Sequence, residues 1–191
     1  MYSRYLRPGI ALMAALTLLT GIIYPLVITG VSQVAMRYKA EGSLLYHGDT
    51  LIGSRLIGQN FSDPKYFWGR PSATSPQPYN GLASGGSNQG PLNPALIDKV
   101  NAGAKALRDA DPLNKGEIPV DLVTASASGL DPDISPAAAQ YQAGRVARAR
   151  NLPIATVQAL IATHRRDPLL GLFGEAHINV LELNMALDES H

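Results

Sequence analysis

From residue 8 to residue 36 the chain carries no charged side chain, and residues 9–31 include eleven Leu, Ile or Val. A helix needs about 20 apolar residues to cross the ~30 Å hydrocarbon core. At about −0.3 to −0.6 kcal/mol per central Leu, Ile or Val, the insertion term is roughly −3 to −7 kcal/mol. Later apolar runs are short and broken by charge. The pattern predicts one transmembrane helix over residues 9–31, extending to about 36, after a short N-terminal tail (1–8) and before a soluble domain (37–191).

In that domain the apolar spacing changes character several times. Alternation over 43–46 and 50–54 around Gly48 predicts a β-hairpin, with 54–59 continuing as a further strand. Residues 60–93 are dominated by turn dipeptides such as Asp63-Pro64, Asn80-Gly81 and Gly85-Gly86. Asn93-Pro94 and Ser135-Pro136 each pair an N-cap residue with proline at the first helical position. They open helices with a buried stripe of Leu96, Ile97, Val100, Ala104 and Leu107 in the first, and an end near Arg150 in the second. A third helix follows Pro153, with Ile154, Val157, Leu160, Ile161 and His164 at helical spacing. Residues 119–124 and 177–181 read as strands and 183–187 as a closing helical turn. The fold class is a single N-terminal transmembrane helix plus one soluble α/β or α+β domain, with a small sheet and about three helices.

Charge sets orientation only weakly. Arg4 and Arg7 precede the span and Arg37 and Lys39 follow it, so the Lys/Arg rule is nearly balanced. The short basic tail favours a cytoplasmic N-terminus and a periplasmic or extracellular domain, in a cell (inner) membrane. A cleaved signal peptide is the competing reading, but the apolar run is too long and no small-x-small site follows it. The formal net charge of +1 argues against non-specific nucleic-acid binding. Cysteine is absent and four histidines are scattered, so no zinc-type spacing exists and no metal site is expected.

Several segments, taken in order, resemble the C subunit of the Kdp-type potassium-transporting P-type ATPase. They are Leu56-Ile57-Gly58-Gln59-Asn60-Phe61, Tyr66-Phe67-Trp68-Gly69-Arg70-Pro71-Ser72-Ala73, and Tyr79-Asn80 with Ala83-Ser84-Gly85-Gly86-Ser87-Asn88 and Asn93-Pro94. Val123-Thr124-Ala125-Ser126-Ala127-Ser128-Gly129-Leu130-Asp131-Pro132 follows, then Ile134-Ser135-Pro136 and Asn179-Val180-Leu181-Glu182-Leu183-Asn184. The resemblance implies a non-catalytic accessory subunit of a high-affinity potassium import pump. It would act as an assembly factor and as a catalytic chaperone that raises ATP affinity of the P-type ATPase subunit. Its implied partners are a channel-like potassium-binding subunit, that ATPase subunit and a small membrane peptide, together with membrane lipid. No tightly bound cofactor is implied, ATP being met through the catalytic subunit. The alternative from another class is a membrane-tethered exported binding protein or hydrolase acting alone.

No P-loop and no Asp-Lys-Thr-Gly segment is present, so no catalytic residue is assigned. Asn80, Ser84, Gly85, Gly86, Ser87 and Asn88 form either an anion cradle of backbone N–H groups or a tight loop whose glycines adopt positive φ. Ser126, Ser128 and Asp131 lack a Gly-x-Ser-x-Gly context and read as braces before the Ser135-Pro136 helix. Gln142 and Arg145 share a helix face by i,i+3 spacing. That face is either the place for the implied nucleotide contact or a solvated, partner-facing surface. His164 and His177 read as core-edge histidines. Ala14, Thr17 and Gly21 line one face of the span, and Pro25 leaves a carbonyl unpaired a turn later, which reads as a packing surface for neighbouring helices.

Overall fold

The structure, a computed structural model, describes residues 3–190. The first two residues and His191, ends of the predicted tail and domain, lie outside it, as do the side chains of Ser3 and Arg4. The chain divides into two compact units, one up to Leu44 and one from Leu45 onward.

The first unit is helical from Ser3, so most of the segment read as a tail continues the helix. Helix α1 (Ser3–Leu18) passes through a π-turn (Leu19–Ile23) into α2 (Tyr24–Ala35), followed by the single turn α3 (Arg37–Ala40). Residues Tyr5–Ala35 form one continuous apolar helix with none of its most apolar window buried. The π-turn has a local cause. Pro25 has no N–H for the Gly21 carbonyl, and the backbone widens just before it, with Tyr24 N–H donating to Leu19 C=O. Such adjustments let proline sit in a membrane helix. Thr20 Oγ1 adds a bond to Leu16 C=O at 2.8 Å.

The second unit begins inside the hairpin β1 (Leu44–His47) and β2 (Thr50–Ser54). Gly48 sits in the turn with φ 57°, which glycine adopts without strain. Residues 54–59 do not extend the hairpin as a strand. The Ser54 hydroxyl accepts from Leu56 N–H at 3.1 Å and its carbonyl from Ile57 N–H at 3.3 Å, which turns the chain away. Gln59 Nε2 then donates back to Ile52 C=O at 2.8 Å.

A three-stranded antiparallel sheet of order β3-β5-β4 joins β3 (Asp133–Ile134), β4 (Arg165–Arg166) and β5 (His177–Asn179). Helices α4 (Pro94–Ala110), α5 (Pro136–Arg150), α6 (Ile154–His164) and α7 (Val180–Glu189) complete the unit. The closing element is thus a full helix starting at Val180, and β5 is correspondingly shorter than its predicted span. Asn179 explains the switch: its side chain accepts from Glu182 N–H and caps α7. Both predicted Asn/Ser-Pro starts hold, with Asn93 accepting from Ala95 N–H and Ser135 from Ala138 N–H. Residues 119–124 are not a strand. They make a 3-10 turn (Val120–Leu122) that buries Leu122 and aims Asp121 at Ser135, whose N–H it accepts at 2.7 Å.

The core lies between α5, α6, α7 and the small sheet. Ala138, Ala139, Ala143 and Val146 of α5 meet Val157 and Ile161 of α6, Ile134 and Ile178 of the sheet, and Leu183 and Leu187 of α7. The small α5 residues let the helices approach closely. Phe67, from the long irregular segment, is fully buried among them. Helix α4 differs from its predicted stripe, because only Leu107 is buried and Ile97 is exposed.

Candidate functional site

Two polar residues sit where the periodicity of α5 and α7 calls for apolar ones. Gln142 and Asn184 are each 1% exposed. Burying a carboxamide without partners costs several kcal/mol, so each demands a full set of hydrogen bonds. Both find it in consecutive residues of one loop. Asn184 Oδ1 accepts from Phe67 N–H at 2.8 Å while its Nδ2 donates to Phe67 C=O at 3.0 Å. Gln142 Oε1 accepts from Trp68 N–H at 2.9 Å while its Nε2 donates to Trp68 C=O at 3.1 Å. Side-chain amides from two helices thus replace the neighbouring strands this piece of backbone lacks.

Arg145 completes the clasp. Its guanidinium donates to Gln142 Oε1 at 2.7 Å and to Tyr66 C=O at 3.1 Å, also reaches Pro64 C=O, and stacks 4.2 Å from the Trp68 ring. Burial pulls its pKa down to about 10, with Asp111 and Asp63 opposing the shift, so it stays protonated at neutral pH. One turn on, Arg150 Nε donates to Lys65 C=O at 2.8 Å and pairs with Asp188 at 2.6 Å. Tyr66 Oη meets the same carboxylate at 3.0 Å. The face carrying Gln142 and Arg145 is therefore not a solvated surface. It is turned inward and covered by residues 64–68.

The Gly/Ser segment and the Ser126–Asp131 segment are brought together. Ser84 Oγ donates to Ser128 C=O at 3.1 Å, and Gly85 N–H to the same carbonyl at 2.9 Å. Gly86 is needed for close approach rather than for positive φ, since a Cβ there would lie 2.8 Å from Ala127 O. The positive-φ positions are instead Asn88 (50°) and Gly129 (68°). Ser126 Oγ accepts from Gly129 N–H and Ser128 Oγ from Leu130 N–H. Asn80 spans its own loop, bonding Ser75 C=O and Leu82 N–H. Asp131 pairs with Arg70 at 3.0 Å and accepts from Asp133 N–H at the entry to β3.

Residues 59–79 enclose a cleft of about 380 Å³ lined by Phe61, Trp68, Arg70, Ser72 and Tyr79, among others. Burial, helped by Asp131, pushes the Tyr79 phenol up to about 12, so it remains neutral and donates to Arg70 C=O at 2.5 Å. His164 and His177 each place Nδ1 2.9 Å from a nearby backbone carbonyl. The signal for the clasp was in the sequence: a Gln among Ala138, Ala139 and Ala143, and an Asn between Leu183 and Leu187. Pattern reading picked out Gln142 and Arg145 but pointed them outward, and it missed Asn184.

These features define a class: a single-span membrane protein carrying a small α+β domain whose signature polar residues hold its own long loops. Residues 6–189 match the model of the KdpC family, described as K+-transporting ATPase, c chain. The potassium-transporting ATPase KdpC subunit of Variovorax paradoxus is 62% identical over 185 residues, covering 97% of this chain and 96% of that protein. That of Polynucleobacter asymbioticus is 60% identical (96% and 97% covered), and that of Herpetosiphon aurantiacus 55% (97% and 96%). The chain belongs to the KdpC family of potassium-transporting ATPase subunits.

Proposed function

We propose that the chain is a non-catalytic subunit that assembles and stabilises a potassium-import pump, anchored by residues 5–35 with its domain on the outer face of the membrane. Its partners on this reading are the channel-like potassium-binding subunit, the P-type ATPase subunit and a small membrane peptide. The face of Ala14, Thr17 and Gly21 supplies helix packing, since small residues let helices in lipid approach closely. The carrying observation is that the side chains best suited to ligand chemistry, Gln142 and Arg145, bond backbone carbonyls and amides of residues 64–68. An influence on ATP affinity then passes through the partner subunits, with the clasp keeping the domain rigid enough to transmit it.

The test is recovery of the large pump subunits with the tagged chain in mild detergent, alongside growth on limiting potassium. Stoichiometric recovery is expected, with Gly21→Leu lowering it while the chain stays in the membrane. Purification of the chain alone, with growth unaffected by its deletion, would return the tethered binding protein or hydrolase. Orientation is checked separately with Leu82→Cys, a fully exposed position in a chain without cysteine. Labelling by an impermeant maleimide on intact cells is the expected result, and labelling only after lysis reverses the topology.

A further inference from the structure

Residues 168–174, between β4 and β5, present the densest apolar surface of the second unit. Leu169, Leu170, Leu172 and Phe173 are 70%, 81%, 81% and 65% exposed within five positions. Scattered exposed apolar residues need no explanation, but a contiguous patch marks an interaction site.

Two features make this loop a preformed shape. Most of its amides are answered from within: Leu169 N–H donates to Phe173 C=O, Phe173 and Leu172 N–H to Leu169 C=O, and Gly171 N–H to Pro168 C=O, all between 2.9 and 3.2 Å. A loop that answers most of its own amides strands few of them on entering an apolar environment. Leu170, moreover, holds φ 56°, beside Gly171 at 70°. A bulky side chain in the left-handed region is strained, and asparagine or glycine would be the choice for a turn that served only the fold. Here the fold maintains a strained residue and points it at water, and such outliers concentrate where another molecule binds.

We infer that the 168–174 loop is an apolar plug that seats in an apolar socket on another protein subunit of the potassium pump. This rests on the reading of the chain as an accessory subunit. Charge argues against an anionic lipid surface as the occupant. Arg165 and Arg166 at the base of the loop are paired with Asp167 and Glu182, and Glu175 adds a negative charge, so nothing there draws anionic headgroups. Area argues against a second copy held by this loop alone. Four side chains offer a few hundred Å², well short of the ~800 Å² per partner of a self-sufficient dimer. A small plug suffices when a membrane helix already holds both proteins together, because the second contact then forms at high effective concentration.

The experiment uses the intact complex, with a photo-crosslinking amino acid at Leu172 and, as a control, at the comparably exposed Leu113 (74%). An adduct between Leu172 and a pump subunit, absent from Leu113, is the expected result. Adducts only with lipid, only with a second copy of this chain, or with nothing while the wild-type complex is intact, each overturn the plug. Failure of the wild-type chain to recover any pump subunit overturns the accessory reading instead. As a second measurement, Leu170→Asn and Leu172→Asp should lower subunit recovery in stringent detergent by about tenfold. The melting temperature of the purified full-length chain should be held or raised by Leu170→Asn. Unchanged recovery in both variants overturns the proposal even if crosslinks form.

Discussion

Two loops of the same domain are built on opposite plans. Residues 64–68 are irregular in sequence yet immobilised: Phe67 is inserted in the core, and side chains from α5 and α7 answer the backbone of Phe67 and Trp68. Residues 168–174 close on their own backbone and turn their apolar side chains outward. The first is held from outside by polar groups and contributes to stability. The second holds itself and leaves its hydrophobic surface uncovered. Where a segment's hydrogen-bond partners come from thus separates the part that keeps the fold from the part available to other molecules.

The comparison breaks most decisively at Asn184. Replacing it with leucine keeps the branched shape but strands the Phe67 N–H and C=O, and should lower stability by about 2–4 kcal/mol. Thermal unfolding of the full-length chain in detergent reads this, and an unchanged melting temperature would show that the clasp is incidental.

Arg145→Met comes next, at about 1–3 kcal/mol, because the Pro64 and Tyr66 carbonyls lose their donor. The variant also separates two roles for the residue. A melting temperature that holds while the assembled pump loses ATP affinity would make Arg145 a ligand contact rather than a brace.

Leu170→Asn should act in the other direction, leaving the domain equally stable or up to about 1 kcal/mol more stable, since asparagine tolerates positive φ. A clear loss of stability would mean that the exposed loop is structural after all and would erase the contrast.

The smallest effect is expected in β3, where Asp133 is partly buried. Desolvation raises its pKa above the usual carboxylate value, against opposing contributions from His177 and Asn179. A raised folded-state pKa means the native state binds the proton more tightly than the unfolded chain. The stability from that proton is fully present below the unfolded value, near 3.8, and is lost as pH rises through the folded value. Asp133→Asn should therefore flatten the pH dependence of unfolding just above pH 3.8, a change read by comparing melts of the two proteins across that range.

Much of the architecture was legible in the chain, and the reasons are local. The membrane helix follows from uninterrupted apolarity, since backbone groups in lipid have no partner but one another. The starts of α4 and α5 follow from Asn93-Pro94 and Ser135-Pro136, whose capping chemistry acts within four residues. The misreadings were contests that local pattern cannot decide. Val120 and Leu122 have strand-like chemistry, but Asp121 is claimed by Ser135 fourteen residues on, and one 3-10 turn satisfies both. The 54–59 segment is apolar enough for a strand, yet Gly58 N–H goes to Leu130 C=O.

The polar residues divide the same way. Composition and spacing picked out Gln142, Arg145, Ser126, Ser128 and Asp131 as unusual, and sequence similarity along residues 6–189 sufficed to place the chain in its family. What those side chains touch was decided only by the tertiary fold. The partners of Gln142 and Asn184 lie 74 and 117 residues away. Periodicity reports which face of a helix a residue occupies, but whether that face meets water, a ligand or another stretch of the same chain depends on how an irregular loop is routed. Long-range backbone hydrogen bonding sets that route, and it leaves no periodic trace in the sequence.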